Sequence, residues 1–339
     1  MAVDEDNILV EARDLHTYFE MKRWGFLHQG FVQAVDGVDF KVEKGESISL
    51  VGESGCGKSS LAKTILGIHE PHSGEIIFEG EKVDYHDDEQ MKEYHKMTGF
   101  VQQDPYGALP PFMSVRKILE EPMIVNGIKD KNQRITRIRD VMEELKLTPV
   151  DNFLNKYPHM LSGGQQQRVV LARALVLNPK LIFADEPVSM LDASVRVEIL
   201  ELFEKIQRER DVSIIYITHD LSTVRYFSER IFIMYGGKLV EKSPVVDLLR
   251  EPAHPYTQAL LEAISEPDAS NIHSYKEVPP GEPPSLLDPP KGCRFHPRCR
   301  HKIDGLCDEE FPPEFELNEG RSTACWLYED EEEAEDVAV

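Results

Sequence analysis

Gly52-Glu-Ser-Gly-Cys-Gly-Lys58-Ser59 is the stretch on which the fold turns. It fits the spacing G-x-x-x-x-G-K-[ST]. It follows the short run Glu46-Ser-Ile-Ser-Leu-Val51, which reads as a strand, and opens Ser59 to Ile68, whose pattern suits a helix closing near Gly67. Strand, glycine loop and helix together form the setting in which such a loop cradles phosphate. Backbone N–H groups from Gly52, Glu53, Ser54, Gly55, Cys56 and Gly57, and from Ser60 just inside the helix, can wrap phosphate oxygens. The helix start adds partial positive charge there. Lys58 suits the β- and γ-phosphates, and Ser59 offers its hydroxyl to Mg²⁺. Cys56 stands at a variable position and reads as a small residue. The alternative, a plain glycine turn before a helix, needs none of the motifs that follow.

Three further segments supply what a lone cradle lacks. Leu161-Ser-Gly-Gly-Gln-Gln-Gln-Arg168 opens a helix running to about Leu177. Ser162 is a good N-cap, but Gly163 and Gly164 weaken a first turn. They make sense if backbone, with Gln165 beside it, must come close to an anion at the helix tip. The cradle already serves the phosphates from one side, so this second anion site is best completed by dimerisation. Asp185 and Glu186 end the apolar run from Leu181. Ionised groups at a buried strand's end need partners; Asp185 can hold a magnesium shell and Glu186 can polarise an attacking water. His219 follows the apolar strand Val212–Thr218. A lone histidine after a strand is more often structural. Here the cradle, Asp185-Glu186 and His219 all lie just past strand ends, which in an open parallel sheet converge on one crevice.

Residues 7–50 alternate as strands of an antiparallel subdomain with Gly30, Gly37 and Gly45 as turns, whereas 105–160 is proline-punctuated and then helical from about Lys131 to Leu147. Asn178-Pro179 breaks a helix before Leu181, and another helix spans roughly 193–210. Alternating strands and helices imply a largely parallel sheet covered on both faces. After Pro252 prolines multiply and periodicity fades, so a boundary is placed near 250. The 339 residues carry a net charge of −23, which disfavours nucleic acid as a partner. No apolar run is long enough to span a bilayer, and the acidic start does not read as a secretory signal, so the chain is expected in the cytoplasm. Glu329–Asp336 reads as a disordered acidic tail within 329–339.

Four cysteines, Cys293, Cys299, Cys307 and Cys325, crowd the last fifty residues. Their spacing lacks the paired knuckles favoured by structural zinc. Four thiolates on an irregular segment suit an iron–sulfur cluster, while zinc and free thiols stay open.

Read together, Lys58-Ser59, Ser162-Gly-Gly-Gln165, Asp185-Glu186 and His219 resemble the motif set of ABC transporter ATPases. The resemblance covers about 5–250. It implies a P-loop NTPase of the α/β class: an ABC cassette with a parallel-sheet core, an antiparallel β subdomain and a helical subdomain at about 105–175. Gln103 resembles the glutamine that senses magnesium and contacts the membrane subunit, with Gln102 where a Phe is usual. Ser189-Met-Leu-Asp192 resembles the D-loop, and Phe19 matches the aromatic that stacks on adenine, with Tyr18 beside it.

His254-Pro-Tyr-Thr-Gln-Ala-Leu260 and Gly292-Cys-Arg-Phe-His-Pro-Arg-Cys299 resemble the C-terminal extension of oligopeptide/dipeptide importer ATPases, at 251–328. Asp185-Glu-Pro-Val-Ser189 is closer to the second, F-type, ATPase of the pair. The resemblance implies ATP and Mg²⁺ as cofactors and a [4Fe–4S] cluster on the four cysteines. Implied partners are a homologous ATPase subunit in a heterodimer, two integral-membrane permeases and, indirectly, an extracellular solute-binding protein. The expected place is the cytoplasmic face of the membrane, and the expected cargo is peptides or oligosaccharides. A soluble ABC-type mechanoenzyme is the rival reading; the single cassette, the lack of a heptad arm and the acidic balance weigh against it.

Overall fold

The computed structural model describes residues 7–23, 27–263, 279–318 and 320–329; the acidic tail from 330 lies outside them. The chain divides into two compact units, one drawn from Met1–Lys41, Ile48–Gly80 and Thr218–Val339, the other from Val42–Ser47 and Glu81–Ile217.

In the first unit the long strands Ile8–Arg23 and Leu27–Glu43 lie side by side, and Ser73–Phe78 pairs antiparallel with the former. Leu9, Leu15, Val35 and Val38 are buried, but burial does not strictly alternate: residues 9–12 and 34–36 are buried in succession. Gly45 turns the chain as expected. Gly30 and Gly37 do not: the strand runs straight through both, and Gly37, with φ of 66°, marks an irregularity inside it. Beside this layer the fully buried strand Ser47–Val51 runs parallel to Arg230–Tyr235. A Gly236-Gly237 turn returns the chain antiparallel along Lys238–Pro244. Arg321–Thr323 and Phe315–Asn318, from the far C-terminal region, extend that sheet antiparallel. The extension shares a core with the strands: Tyr235, Tyr256 and Phe295 pack ring on ring at 4.4, 5.3 and 5.5 Å, in one cluster with Val51, Ile233, Cys293 and Cys307.

In the second unit Thr98–Val101, Leu181–Asp185 and Ser213–Thr218 are parallel neighbours, in register from Leu181↔Ser213 to Asp185↔Ile217. The near-continuous burial of Leu181–Asp185 and Ser213–Thr218 explains why these two read as unbroken apolar runs. Within 105–175 lie the helices Pro105–Ala108, Val115–Val125, Lys131–Glu144, Asp151–Leu154 and Gly163–Leu175. Asp104 caps Pro105–Ala108, where a proline at the first turn needs no N–H; Pro122, read as punctuation, is instead carried inside Val115–Val125. Gly163–Leu175 is the hub. It touches the helices Pro105–Ala108, Val115–Val125, Lys131–Glu144 and Ala193–Arg210 and the strand Thr98–Val101. Its buried Arg168 donates to Leu145 O at 2.9 Å and to Glu198 at 2.6 Å, and its buried Gln166 to Pro158 O at 3.0 Å, so these polar side chains carry partners inside. Among the described residues no helix is long and apolar enough to cross a membrane.

This core assignment is checked by paired substitutions. Ile182→Val, at a fully buried position, is expected to cost about 0.5–1.5 kcal/mol, whereas Val197→Ala, at 55% exposure, changes stability by less than about 0.5 kcal/mol. Urea midpoints of the two variants decide it; the opposite ranking refutes the assignment.

Candidate phosphate and carboxylate sites

The strand Ser47–Val51 delivers the chain into the glycine loop, and the helix Lys58–Ile65 leaves it. Two glycines are forced by close approach. A Cβ on Gly52 would sit 2.1 Å from Met234 O, and one on Gly57, at φ 112°, would sit 2.0 Å from Ala34 O. The loop is thus pressed against backbone on two sides. The buried Lys58 folds back over it, its Nζ donating to Gly52 O at 2.7 Å and Glu53 O at 2.8 Å. Cys56 is buried, and burial pushes its thiol up despite the nearby Lys58, so it is a neutral small residue as read. Ser54, Gly55 and Ser59 are exposed; Ser60 is half-buried, its carbonyl accepting from Thr64.

Glu53 is held from three directions. Its N–H donates to the Tyr256 hydroxyl at 2.8 Å, its carbonyl accepts from Lys58, and its carboxylate accepts from Arg298 at 3.1 and 3.3 Å. Nothing in the local sequence announced this.

Thr17 bonds Thr64 of the loop helix, and Phe19, two residues on, meets His69 just past that helix edge-on at 5.1 Å. Tyr18 faces elsewhere. It stacks on His72 at 4.8 Å and donates to Asp36 at 2.6 Å. Burial opposes ionisation of Asp36, but the Tyr18 hydroxyl, Lys238 and Arg294 outweigh it and hold the carboxyl down at about 2. Phe19 is therefore the aromatic on the helix side. His219 is exposed just past its strand, and the Thr218 hydroxyl accepts from Asp220 N at 2.9 Å to turn the chain there.

In the second unit Gln103 Nε2 donates to Glu186 Oε2 at 2.8 Å, joining residues 83 apart in sequence. Glu186 has φ of 43°, an uncommon conformation for a non-glycine that costs about 1–3 kcal/mol. It is over-determined: Glu186 N donates to Ile217 O at 2.9 Å, and its carbonyl accepts from Ser189 Oγ at 3.0 Å. Strain of this kind gathers where a side chain must point in one direction. Asp185 ends the strand half-buried, and Asp192 is exposed at the N-cap of Ala193–Arg210.

Ser162 and Gln165 form a capping box: Ser162 Oγ accepts from Gln165 N, and Gln165 Oε1 accepts from Ser162 N at 3.1 Å. Gln165, expected at the anion, also gives its Oε1 to the cap. The cap leaves the N–H groups of Gly163 and Gly164 at the helix tip, where the dipole favours an anion. Gly164 also has a packing reason, since its Cβ would come 2.5 Å from Val195 Cγ1.

Cys293, Cys299, Cys307 and Cys325 line one narrow cavity with His254, His296, His301 and Trp326. All four thiols are free. Burial pushes Cys293 up to about 11 and Cys325 up to about 12, and the neighbouring thiols add to both shifts, so these two are thiols at neutral pH. Yet no three His, Cys, Asp or Glu side chains among the described residues stand close enough to hold a metal ion. The expected four-cysteine ligand set is gathered but not assembled: the donor chemistry fits a thiophilic centre, while the side chains are set for packing.

Residues 35–189 match the ABC transporter family and 240–307 the oligopeptide/dipeptide transporter C-terminal region. The oligopeptide transport ATP-binding protein AppF of Bacillus subtilis is 39% identical over 330 residues, 96% of this chain and 99% of its own. The dipeptide transport ATP-binding protein DppF of Escherichia coli is 38% identical over 324 residues, 96% of each chain. Among solved structures, the ATP-binding cassette MJ0796, a dimer in a post-hydrolysis state bound to ADP and Pi, is 29% identical with a TM-score of 0.62, covering 70% of this chain and 99% of that one. CbiO1 of Clostridium perfringens, part of the ABC transporter complex cbiONQ, is 26% identical with a TM-score of 0.61, covering 72% and 92%.

Loop geometry yields a graded expectation. Gly57→Ala collides with backbone and is expected to cost about 3 kcal/mol or more; Gly55→Ala, at φ 79° with open space around it, costs about 1 kcal/mol. Thermal unfolding of both variants checks this, and equal losses refute it.

Proposed function

The chain belongs to the ABC transporter family, in the branch of oligopeptide and dipeptide transport ATP-binding proteins, and we propose that it is the subunit that hydrolyses ATP to drive import of peptides. Likeness along nearly its whole length to transport subunits favours this over a soluble mechanoenzyme. Oligosaccharides remain the second cargo class, because no residue of such a subunit meets the cargo.

The observation that carries the reading is the strained, triply held Glu186 with Gln103 on its carboxylate. In this reading Lys58 and the loop N–H groups from Gly52 to Ser60 take the phosphates, and Phe19 stacks on the adenine. Ser59, Asp185 and the carbonyl oxygen of Gln103 provide the oxygen-only donors that suit Mg²⁺. Glu186 directs water at the γ-phosphorus and His219 steadies the departing phosphate. Ser162, Gly163, Gly164 and Asp192 act on the nucleotide of a second, homologous chain, so two subunits close over ATP; a heterodimer fits the F-type relatives.

Residues 1–250 then form the cassette, 251–328 the extension and 329–339 a tail. Exposed apolar side chains in the helical insert, Tyr106, Phe112, Tyr157 and Met160, favour two membrane permeases as partners, with the subunit peripheral at the cytoplasmic face and a solute-binding protein acting indirectly. The four cysteines around one cavity support a [4Fe–4S] cluster, with zinc as the alternative. When bound it would staple an extension that has little regular structure of its own.

Glu186→Gln is expected to keep binding Mg-ATP while hydrolysis falls at least about 100-fold, read by phosphate release beside nucleotide titration; undiminished turnover removes Glu186 from its role. Anaerobically purified protein is expected to carry about four irons and as many sulfides per chain. Zinc without either rejects the cluster.

A further inference from the structure

Between the first two clustered cysteines, the segment Cys293-Arg-Phe-His-Pro-Arg-Cys299 sends both arginines away from the cysteine cavity's thiols and toward the nucleotide elements. Arg298, 8% exposed, bonds both carboxylate oxygens of Glu53 and the Tyr235 hydroxyl at 3.1 Å. Arg294 reaches Asp36, the residue that also receives the Tyr18 hydroxyl, and Gln33 at 3.2 Å. A second element of the extension arrives at the same place. The buried Glu241 accepts from Ala253 N at 2.8 Å and His254 N at 2.9 Å, fixing the start of the helix Pro255–Ala263, and the hydroxyl of its Tyr256 receives Glu53 N. The rings of Tyr235, Tyr256 and Phe295 lock these contacts into one core.

We propose that Arg298 and Tyr256 are positioning residues for the phosphate loop: by fixing Glu53 they fix one of the two carbonyls on which the Lys58 ammonium rests, so the cysteine-bearing extension sets the affinity for nucleotide. This rests on the reading of the loop as the nucleotide site. The physical case is preorganisation. A loop whose N–H groups must wrap phosphate loses less entropy on binding if its backbone is already fixed. Glu53 is the loop residue gripped on its N–H, its carbonyl and its side chain together, and the grips on its N–H and side chain come from residues 203 and 245 positions away. The cysteines enter as the frame: Cys293 N donates to Cys307 O at 2.9 Å, and Arg298 N to Phe295 O at 2.9 Å, so the arginine's backbone is seated by the fold around the thiols.

The test is calorimetric titration of the full chain with Mg-ADP, beside thermal unfolding without nucleotide. Arg298→Ala and Tyr256→Phe, the latter losing only a hydroxyl, should each weaken ADP about threefold to tenfold, and Arg298→Lys should recover part of the loss. Glu53→Ala should weaken ADP too, and Glu53→Ala combined with Arg298→Ala should be no worse than the more severe single change. Unchanged ADP affinity in Tyr256→Phe and Arg298→Ala, or additive losses in the double variant, overturns the proposal even if melting temperatures fall. If the unaltered chain fails to bind Mg-ADP, the nucleotide reading falls with it; if only the variant pattern fails, that reading stands alone.

Discussion

A loop that grips phosphate must crowd backbone N–H groups and a cation around a small volume, and here the crowding is enforced by contact with neighbouring carbonyls. Gly52 presses against Met234 O and Gly57 against Ala34 O. The strands Arg230–Tyr235 and Leu27–Glu43 therefore act as walls for the loop. The Gly236-Gly237 turn adds to this enclosure: Gly237 N donates to Cys56 O and Asp36 N donates to Gly237 O, both at 2.9 Å. Lys58 rests on the loop's own carbonyls, Gly52 O and Glu53 O.

The carboxylate site is built on the opposite logic. Glu186 is kept in an unfavourable backbone conformation by the hydrogen bond its N–H donates to a neighbouring strand and the one its carbonyl accepts from Ser189, and its side chain accepts from the Gln103 amide. The two sites are thus built differently: one packs a lysine onto loop carbonyls, the other holds a carboxylate on a strained backbone.

Most of this architecture was legible from local pattern. Residues 181–185 and 212–218 are too evenly apolar to be anything but buried strands, Asn178-Pro179 ended a helix where it should, and the loop motif named its own flanks. Gly37 misled because a glycine inside a strand looks like a turn until pairing is known; Pro122 misled because a helix held by packing can carry a missing N–H. The Gln103–Glu186 and Arg298–Glu53 pairings were illegible, spanning 83 and 245 positions, with nothing local to select one partner among many. Gln165, expected at an anion by motif, also closes a capping box, a signal already present in the Ser-x-x-Gln spacing. The cysteines were gathered as expected, but spacing alone does not say how closely thiols approach.

The aromatic trio of Tyr235, Tyr256 and Phe295 has one practical bearing. A trimmed version stopping near residue 250 would retain every motif of the cassette and still lose the ring of Phe295 and the whole helix bearing Tyr256, stripping the cover from Ile233 and Tyr235. Such a fragment would carry a raw greasy wound beside its nucleotide pocket and would clump. Minimal versions of this enzyme are therefore to be sought by pruning the acidic end, not the cysteine-rich one.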